Sequence, residues 1–277
     1  MPTRTAVPLH KKRQSMLVDA VQEHDDPHRS MIVHLALGIG ARNDTICHAH
    51  SDWFFYSQGR LYIQIPSSEE CRKKTKYDAC GACRQAGLDH YQPKTPAGRG
   101  RTILISNEWK NHNIEGQSYK SEYFGLRDRV ESYFGLECPE ADSAHRYGHK
   151  MINGDGISRG TANKWLRIIA AESAIKSPFR RSRLEKEIEF ENDEDDQTME
   201  DVINKKLADH GTDEDGNQIP DIFMHDLRAS FCTQLMRNEV PPNKAITFTG
   251  HNDPESMKPY VMFAQNELNA EEQEEWF

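Results

Sequence analysis

Apolar residues recur at helical spacing along most of the chain and at strand spacing in two short stretches. Over 28–40 (HRSMIVHLALGIG), Met31, Ile32, Leu35 and Leu37 lie along a helix that stops at the glycines. A second short helix is read over 43–51. Residues 59–66 (GRLYIQIP) alternate Leu61, Ile63 and Ile65 with polar neighbours, the period of a half-buried strand, and 101–106 (RTILIS) reads as its partner. The stretch between them makes this a hairpin with an expanded connection. Helices are read over 118–134 and over 158–175. The second has Ser158 as its cap and Ala162, Trp165, Leu166 and Ile169 on one face. A helix over 223–238 repeats Leu227, Phe231 and Leu235 at four-residue steps, and a short one over 242–249 ends at Gly250. Asp253 and Pro254 read as cap and first helical position. The expected fold class is α+β, mainly helical, with one small antiparallel sheet.

Composition narrows the setting. At 277 residues the chain can bury one large core, and no stretch approaches the roughly 20 apolar residues of a membrane span. The N-terminus lacks the apolar stretch of a signal peptide, so the expected compartment is the cytoplasm. Net charge is -9, which argues against a polyanionic partner until its distribution is considered. Residues 184–216 hold 14 acids against 3 bases, and 267–277 hold 5 acids and no base. The rest of the chain carries 32 bases against 25 acids, which leaves nucleic acid open as a partner.

Three of the six cysteines cluster as Cys71-x8-Cys80-x2-Cys83, ahead of His90. In a reducing compartment that spacing reads as a structural zinc site rather than disulfides. His90 is the expected fourth ligand, with Asp89, His48 or His50 as replacements. Such a site would stiffen an insert too short and polar to fold alone. RKKTK at 72–76 adds positive charge suited to phosphate contact.

Several short motifs remain. HDLR sets His225 and Arg228 three apart on one helix face, expected to point together away from the apolar face of Leu227 and Phe231. GHNDPESMKPY places His251 after a helix-ending glycine and Tyr260 nine residues later. Arg42 follows a glycine-rich helix break, and Lys94 is read on a hairpin arm beside the turn-rich PKTPAGRGR. Each motif alone is ordinary surface chemistry. Their order and spacing together resemble the tyrosine recombinase (phage integrase) family, from about residue 28 to 265. HDLRASFCTQL resembles that family's arginine helix and GHNDPESMKPY its nucleophile segment. The cysteine-bearing insert before PKT…RTI is similar to integrase-type proteins of haloarchaea and their viruses, in which genome integration is the implied role.

The resemblance implies a site-specific recombinase or integrase fold and chemistry. Arg42 and Arg228 would clamp the scissile phosphate, with His251 as a further donor. Lys94 would protonate the leaving 5′ oxygen, His225 would take the proton of Tyr260, and Tyr260 would form a 3′-phosphotyrosine. No cofactor or ATP is required for that reaction. The implied partner is double-stranded DNA, bound by several protomers. Two departures stand out. Thr45 occupies a position usually acidic in the family, with Asp44 beside it. Pro259 precedes Tyr260, which should disfavour helix at Lys258 and start a new turn at Tyr260.

The expected organisation is an N-terminal arm over 1–27 and a catalytic domain over 28–277. Within the latter lie a Cys-rich insert (67–93), an acidic loop (176–220) and a C-terminal tail (261–277) ending in Trp276 and Phe277. Lys11, Lys12 and Arg13 would form a short arm on DNA. The family's usual core-binding domain is not matched by 1–27, so a separate partner or another subunit would complete the clamp. The alternatives are a DNA-binding accessory protein that does not cut, and a type IB topoisomerase-like nicking-closing activity.

Overall fold

The computed structural model describes residues 6, 8–9, 11–73, 77, 79–112, 119–137, 150–173 and 222–266. The acidic segment 184–216 and the last eleven residues lie outside them. Among the described residues no helix is long and apolar enough to cross a membrane.

The chain is mainly helical with a small antiparallel sheet. Helix α1 (Lys11–Glu23) buries Leu17 and Val21, so much of the expected N-terminal arm belongs to the core. Helix α2 (Pro27–Ile39) is buried nearly all round, from Ser30 to Ile39, and packs against α1 and four later helices. Its ends follow from local chemistry. Asp26 accepts the amides of His28 and Arg29, Pro27 takes the first turn, and Gly40 at φ 57 closes the helix. Helix α3 (Asn43–His48) follows after three residues.

Strands β1 (Phe54–Ser57), β2 (Arg60–Ile65) and β5 (Arg101–Ile105) form the sheet in the order β1-β2-β5, with Ile63 paired to both Phe54 and Ile103. Between β2 and β5 the described residues of the insert form the two-residue strands β3 (Glu69–Glu70) and β4 (His90–Tyr91) and the short helix α4 (Gly81–Gln85). A hairpin of β6 (Glu108–His112) and β7 (Tyr119–Tyr123) follows. The helix expected over 118–134 therefore begins late, as α5 (Leu126–Phe134). Alternating YKSEY pairs with β6, and Gly125 at φ 67 breaks the chain before the helix.

Helix α6 (Arg159–Glu172) is capped by Ser158, whose hydroxyl accepts the Thr161 amide at 3.0 Å. Helix α7 (Met224–Arg237) packs on α2, and α8 (Pro242–Thr249) packs on α7 and β5. Asp226 accepts the Phe223 amide at 3.0 Å and so closes the start of α7. Gly250 at φ 70 ends α8. Asp253 caps a 3-10 turn, Pro254–Met257, and helical backbone runs over 258–266.

Candidate active site

Three tight turns bring Arg42, the Lys94–Thr95 bend and His251 together. At the first, Gly40 releases the chain from α2, and Arg42 becomes the N-cap of α3. At the second, the bend after β4 carries Lys94 and Thr95 into a 3-10 turn, Pro96–Gly98. At the third, Gly250 turns the chain from α8 into His251. Thr95 joins all three, because its hydroxyl accepts from Arg42 Nη1 at 2.8 Å and donates to the Gly250 carbonyl at 2.9 Å.

Lys94 is exposed beside Thr95. It lies in the connection before β5 rather than on a hairpin arm, since Pro93, Pro96, Gly98 and Gly100 interrupt any ladder there. His225 is exposed in the first turn of α7. Arg228 does not share that exposure. It is 1% exposed, although both residues were expected to face away from the core. The reason is polar: Arg228 Nη1 donates to the Gly40 carbonyl at 2.5 Å and Nη2 to His251 Nε2 at 3.3 Å. Its face is turned into a cleft between α7 and the two glycine turns.

His251 completes a directed chain of hydrogen bonds. The Thr249 hydroxyl donates to the Ala245 carbonyl at 3.0 Å and so accepts from His251 Nδ1–H at 2.7 Å, leaving Nε2 as the acceptor for Arg228. Tyr260 is half-buried, with its ring centroid 6.0 Å from that of His251. It packs against Cys232, Ala245 and Met257. Lys258 is helical (φ -50, ψ -45), so Pro259 sits in a first helical turn rather than breaking one.

Arg101 was not singled out in the sequence. It is 8% exposed at the start of β5, and its Nη1 donates to the Phe248 carbonyl at the end of α8. A signal was present: Arg101 is in phase with Ile103 and Ile105, the inward positions of the strand.

Arg42, Arg101 and Arg228 therefore converge. Their protein partners are carbonyls, the Thr95 hydroxyl and neutral His251, and among the described residues no carboxylate pairs with any of them. The Nε atoms of Arg101 and Arg228 are buried without a partner. Burial, then mutual repulsion, lowers Arg42 to about 10 and Arg101 to about 9. Cys232, one turn after Arg228, is pushed up to about 11 by burial and so adds no negative charge at neutral pH. Burial likewise raises Tyr260 to about 12, against the pull of Arg228 and Arg42, so the phenol needs a base to react. Clustered, largely buried cations without a counter-charge among the described residues make a site for an anion, and their forked geometry suits phosphate.

Burial, followed by the charges of Arg228 and Arg42, pushes His251 down to about 3. The unfolded chain binds that proton first, so the depression makes stability fall as pH drops from about 6.5 toward 3. Imidazole NMR is expected to find His251 neutral at pH 5 in the wild-type protein. In Arg228→Met it should titrate closer to the ordinary value, and an unchanged titration would remove Arg228 as a cause.

A second cluster lies on the other side of α3. The ligand atoms of His48, Cys71, Cys80 and Cys83 all fall within 4.8 Å of one another. The fourth member is thus His48, not His90. His90 faces outward and pairs with exposed Asp89 at 2.6 Å, while His50 and Trp53 both engage Glu69.

Comparisons with known proteins agree with this architecture. Residues 160–267 match the Phage integrase family. No curated protein sequence matches the chain. Among solved structures, the XerH site-specific recombinase bound to palindromic difH substrate, in a post-cleavage complex, superposes with a TM-score of 0.50 at 10% identity, covering 96% of this chain and 52% of that one. The Tn1549 transposon integrase in complex with transposon right end DNA gives 0.51 at 13% identity, covering 97% of this chain and 67% of that one. The chain thus spans about half the length of the first. The match over 160–267 includes α7, α8, His251 and Tyr260, and the chain has the fold of a tyrosine recombinase catalytic domain.

Proposed function

We propose that this protein cuts and rejoins double-stranded DNA through a 3′-phosphotyrosine on Tyr260. The observation that carries the reading is a trio of arginines, buried Arg101 and Arg228 with half-buried Arg42, free of any carboxylate partner among the described residues, beside His251 and Tyr260. A phosphodiester resists attack because its own charge repels nucleophiles and its leaving alkoxide is poor. Arg42 and Arg228 hold the non-bridging oxygens and offset charge that builds in the transition state. Arg101 adds a third positive charge behind them. His251 is kept neutral first by burial and then by the arginine charges, and entry of a phosphate offsets the second of these, which favours its protonation and use as a further donor.

In the step itself the Tyr260 oxygen bonds to phosphorus and the bond from phosphorus to the 5′ oxygen breaks. His225 takes the phenol proton, and Lys94 supplies the proton that the departing 5′ oxygen needs. The bond energy stays in the phosphotyrosine, so neither ATP nor a catalytic metal is consumed. Attack by a 5′ hydroxyl of another strand gives recombination or integration, and attack by the original one gives relaxation. Recombination needs several protomers on DNA, and a separate core-binding partner would complete the clamp. The exchanged DNA is proposed to be a specific site, in keeping with the resemblance to integrases of haloarchaea and their viruses.

The test is a denaturing gel of protein incubated with DNA flanking its own gene. A covalent protein–DNA adduct in the wild type supports the reading. DNA retention without an adduct contradicts it and favours an accessory DNA-binding protein. Adduct with relaxation at a rate that stays first order in protein favours a nicking-closing enzyme.

A further inference from the structure

We infer that His48, Cys71, Cys80 and Cys83 form a tetrahedral zinc site that acts as a strut between the Arg42 turn and the Lys94–Thr95 bend. The distances are compatible with a tetrahedral metal site and too long for a disulfide. His48 Nε2 lies 3.7 Å from the Cys71 sulfur, 3.4 Å from Cys80 and 3.5 Å from Cys83, and the Cys80 and Cys83 sulfurs are 3.7 Å apart. A tetrahedral ion with Zn–S of about 2.3 Å and Zn–N of about 2.0–2.1 Å places sulfurs about 3.8 Å apart and nitrogen about 3.6 Å from each sulfur. A disulfide would need about 2.05 Å.

The surroundings point the same way. His48 Nδ1 lies 2.7 Å from the Asp44 carbonyl, which fixes the proton there and turns the Nε2 lone pair toward the thiols. Backbone amides are aimed at the sulfurs: those of Cys80 (at 3.4 Å) and Lys73 at Cys71, and that of Cys83 at Cys80. Lys73 is 8% exposed and its charge acts on both Cys80 and His48. Three thiolates around a divalent cation leave one net negative charge, and Lys73 offsets it. All four ligand residues are at most 5% exposed.

Placement supplies the role. His48 ends α3, whose first residue follows Arg42. The His48 ring stacks on Tyr91 at 4.4 Å, and the Tyr91 hydroxyl donates to Thr45 on α3 at 3.1 Å. Three residues after Tyr91 comes Lys94, and Thr95 binds Arg42. Among its described residues the insert has only two two-residue strands and one five-residue helix, so the cluster adds to the Tyr91 contacts a major part of its hold on α3. The ion is thus a positioning element for Arg42 and Lys94, remote from the phosphate.

Metal content tests this without DNA. Protein purified without chelator is expected to retain about one zinc per chain, and cobalt-loaded protein to show thiolate-to-cobalt charge transfer with the visible bands of a tetrahedral site. His48→Ala and Cys83→Ser are each expected to lower bound metal at least tenfold, while His90→Ala retains it in full. If the two ligand variants are insoluble, wild type and His90→Ala carry the decision. Wild type without tightly bound metal, or metal lost in His90→Ala, overturns the site. Stripping the metal is expected to speed amide exchange at least tenfold in α3 and over 90–95, with α7 unchanged. Equal change in all three, or none in α3, overturns the strut.

Discussion

Replacing Arg228 by methionine is expected to stabilise the fold and to stop DNA cleavage. The guanidinium is almost fully buried, its Nε has no partner, and Arg42 and Arg101 are its charged neighbours. Holding such a charge out of water is costly, and exchanging buried ionic groups for apolar ones of similar volume has stabilised other proteins by about 1–4 kcal/mol. Loss of the bond to the Gly40 carbonyl gives back about 1 kcal/mol. The net is a gain of about 0–3 kcal/mol, read as a melting temperature that is unchanged or several degrees higher. Cleavage should fall at least about a hundredfold, since a donor aimed at developing charge is lost. Arg228→Lys keeps the charge but not the fork, and should recover the wild-type melting temperature with little of the activity. A methionine variant that melts several degrees lower would make Arg228 a structural residue.

Gly40→Ala is expected to be the most damaging small substitution. Gly40 has φ 57, where an L side chain is strained, and an added Cβ would lie 2.2 Å from Phe231 Cδ1. Left-handed strain of about 1 kcal/mol and overpacking of about 1–3 kcal/mol sum to about 2–4 kcal/mol. Relief requires α2 and α7 to separate, and the Gly40 carbonyl is the anchor of Arg228. Chemical denaturation should therefore show the loss of stability, and cleavage should fall with it. Phe231→Leu in the same chain should restore part of the stability by opening space, leaving the backbone strain in place. A neutral Gly40→Ala would mean that the turn is free to rearrange.

The elements that position Arg42, Arg228 and His251 were legible because they end on local chemistry. Asp26, Pro27, Gly40, Ser158, Pro242 and Gly250 are start and stop signals readable within a few residues. The β6–β7 hairpin was hidden in a segment whose charges resemble a solvated helix, and only pairing reveals it. Arg101 is harder to read, because a basic residue after GRG looks like part of a flexible turn, although its phase with Ile103 and Ile105 marks it as inward. The fourth ligand of the cysteine cluster went to the nearest histidine in sequence. Adjacent residues on a strand face opposite ways, so with Tyr91 turned in against His48, His90 must turn out. His48 arrives from α3, and that meeting is tertiary. Arg228 facing inward is likewise tertiary, because its neighbours in the cleft come from turns 188 and 23 residues away.

The most direct measurement compares wild type with Tyr260→Phe on supercoiled plasmid carrying DNA that flanks the protein's own gene, at low and high salt, on a denaturing gel. The account predicts a covalent adduct in the wild type, with the DNA 3′ end held by protein and a free 5′ hydroxyl on the other side. Tyr260→Phe should bind the plasmid equally and give no adduct. An adduct of undiminished yield in Tyr260→Phe would contradict the account, because the nucleophile would then lie elsewhere.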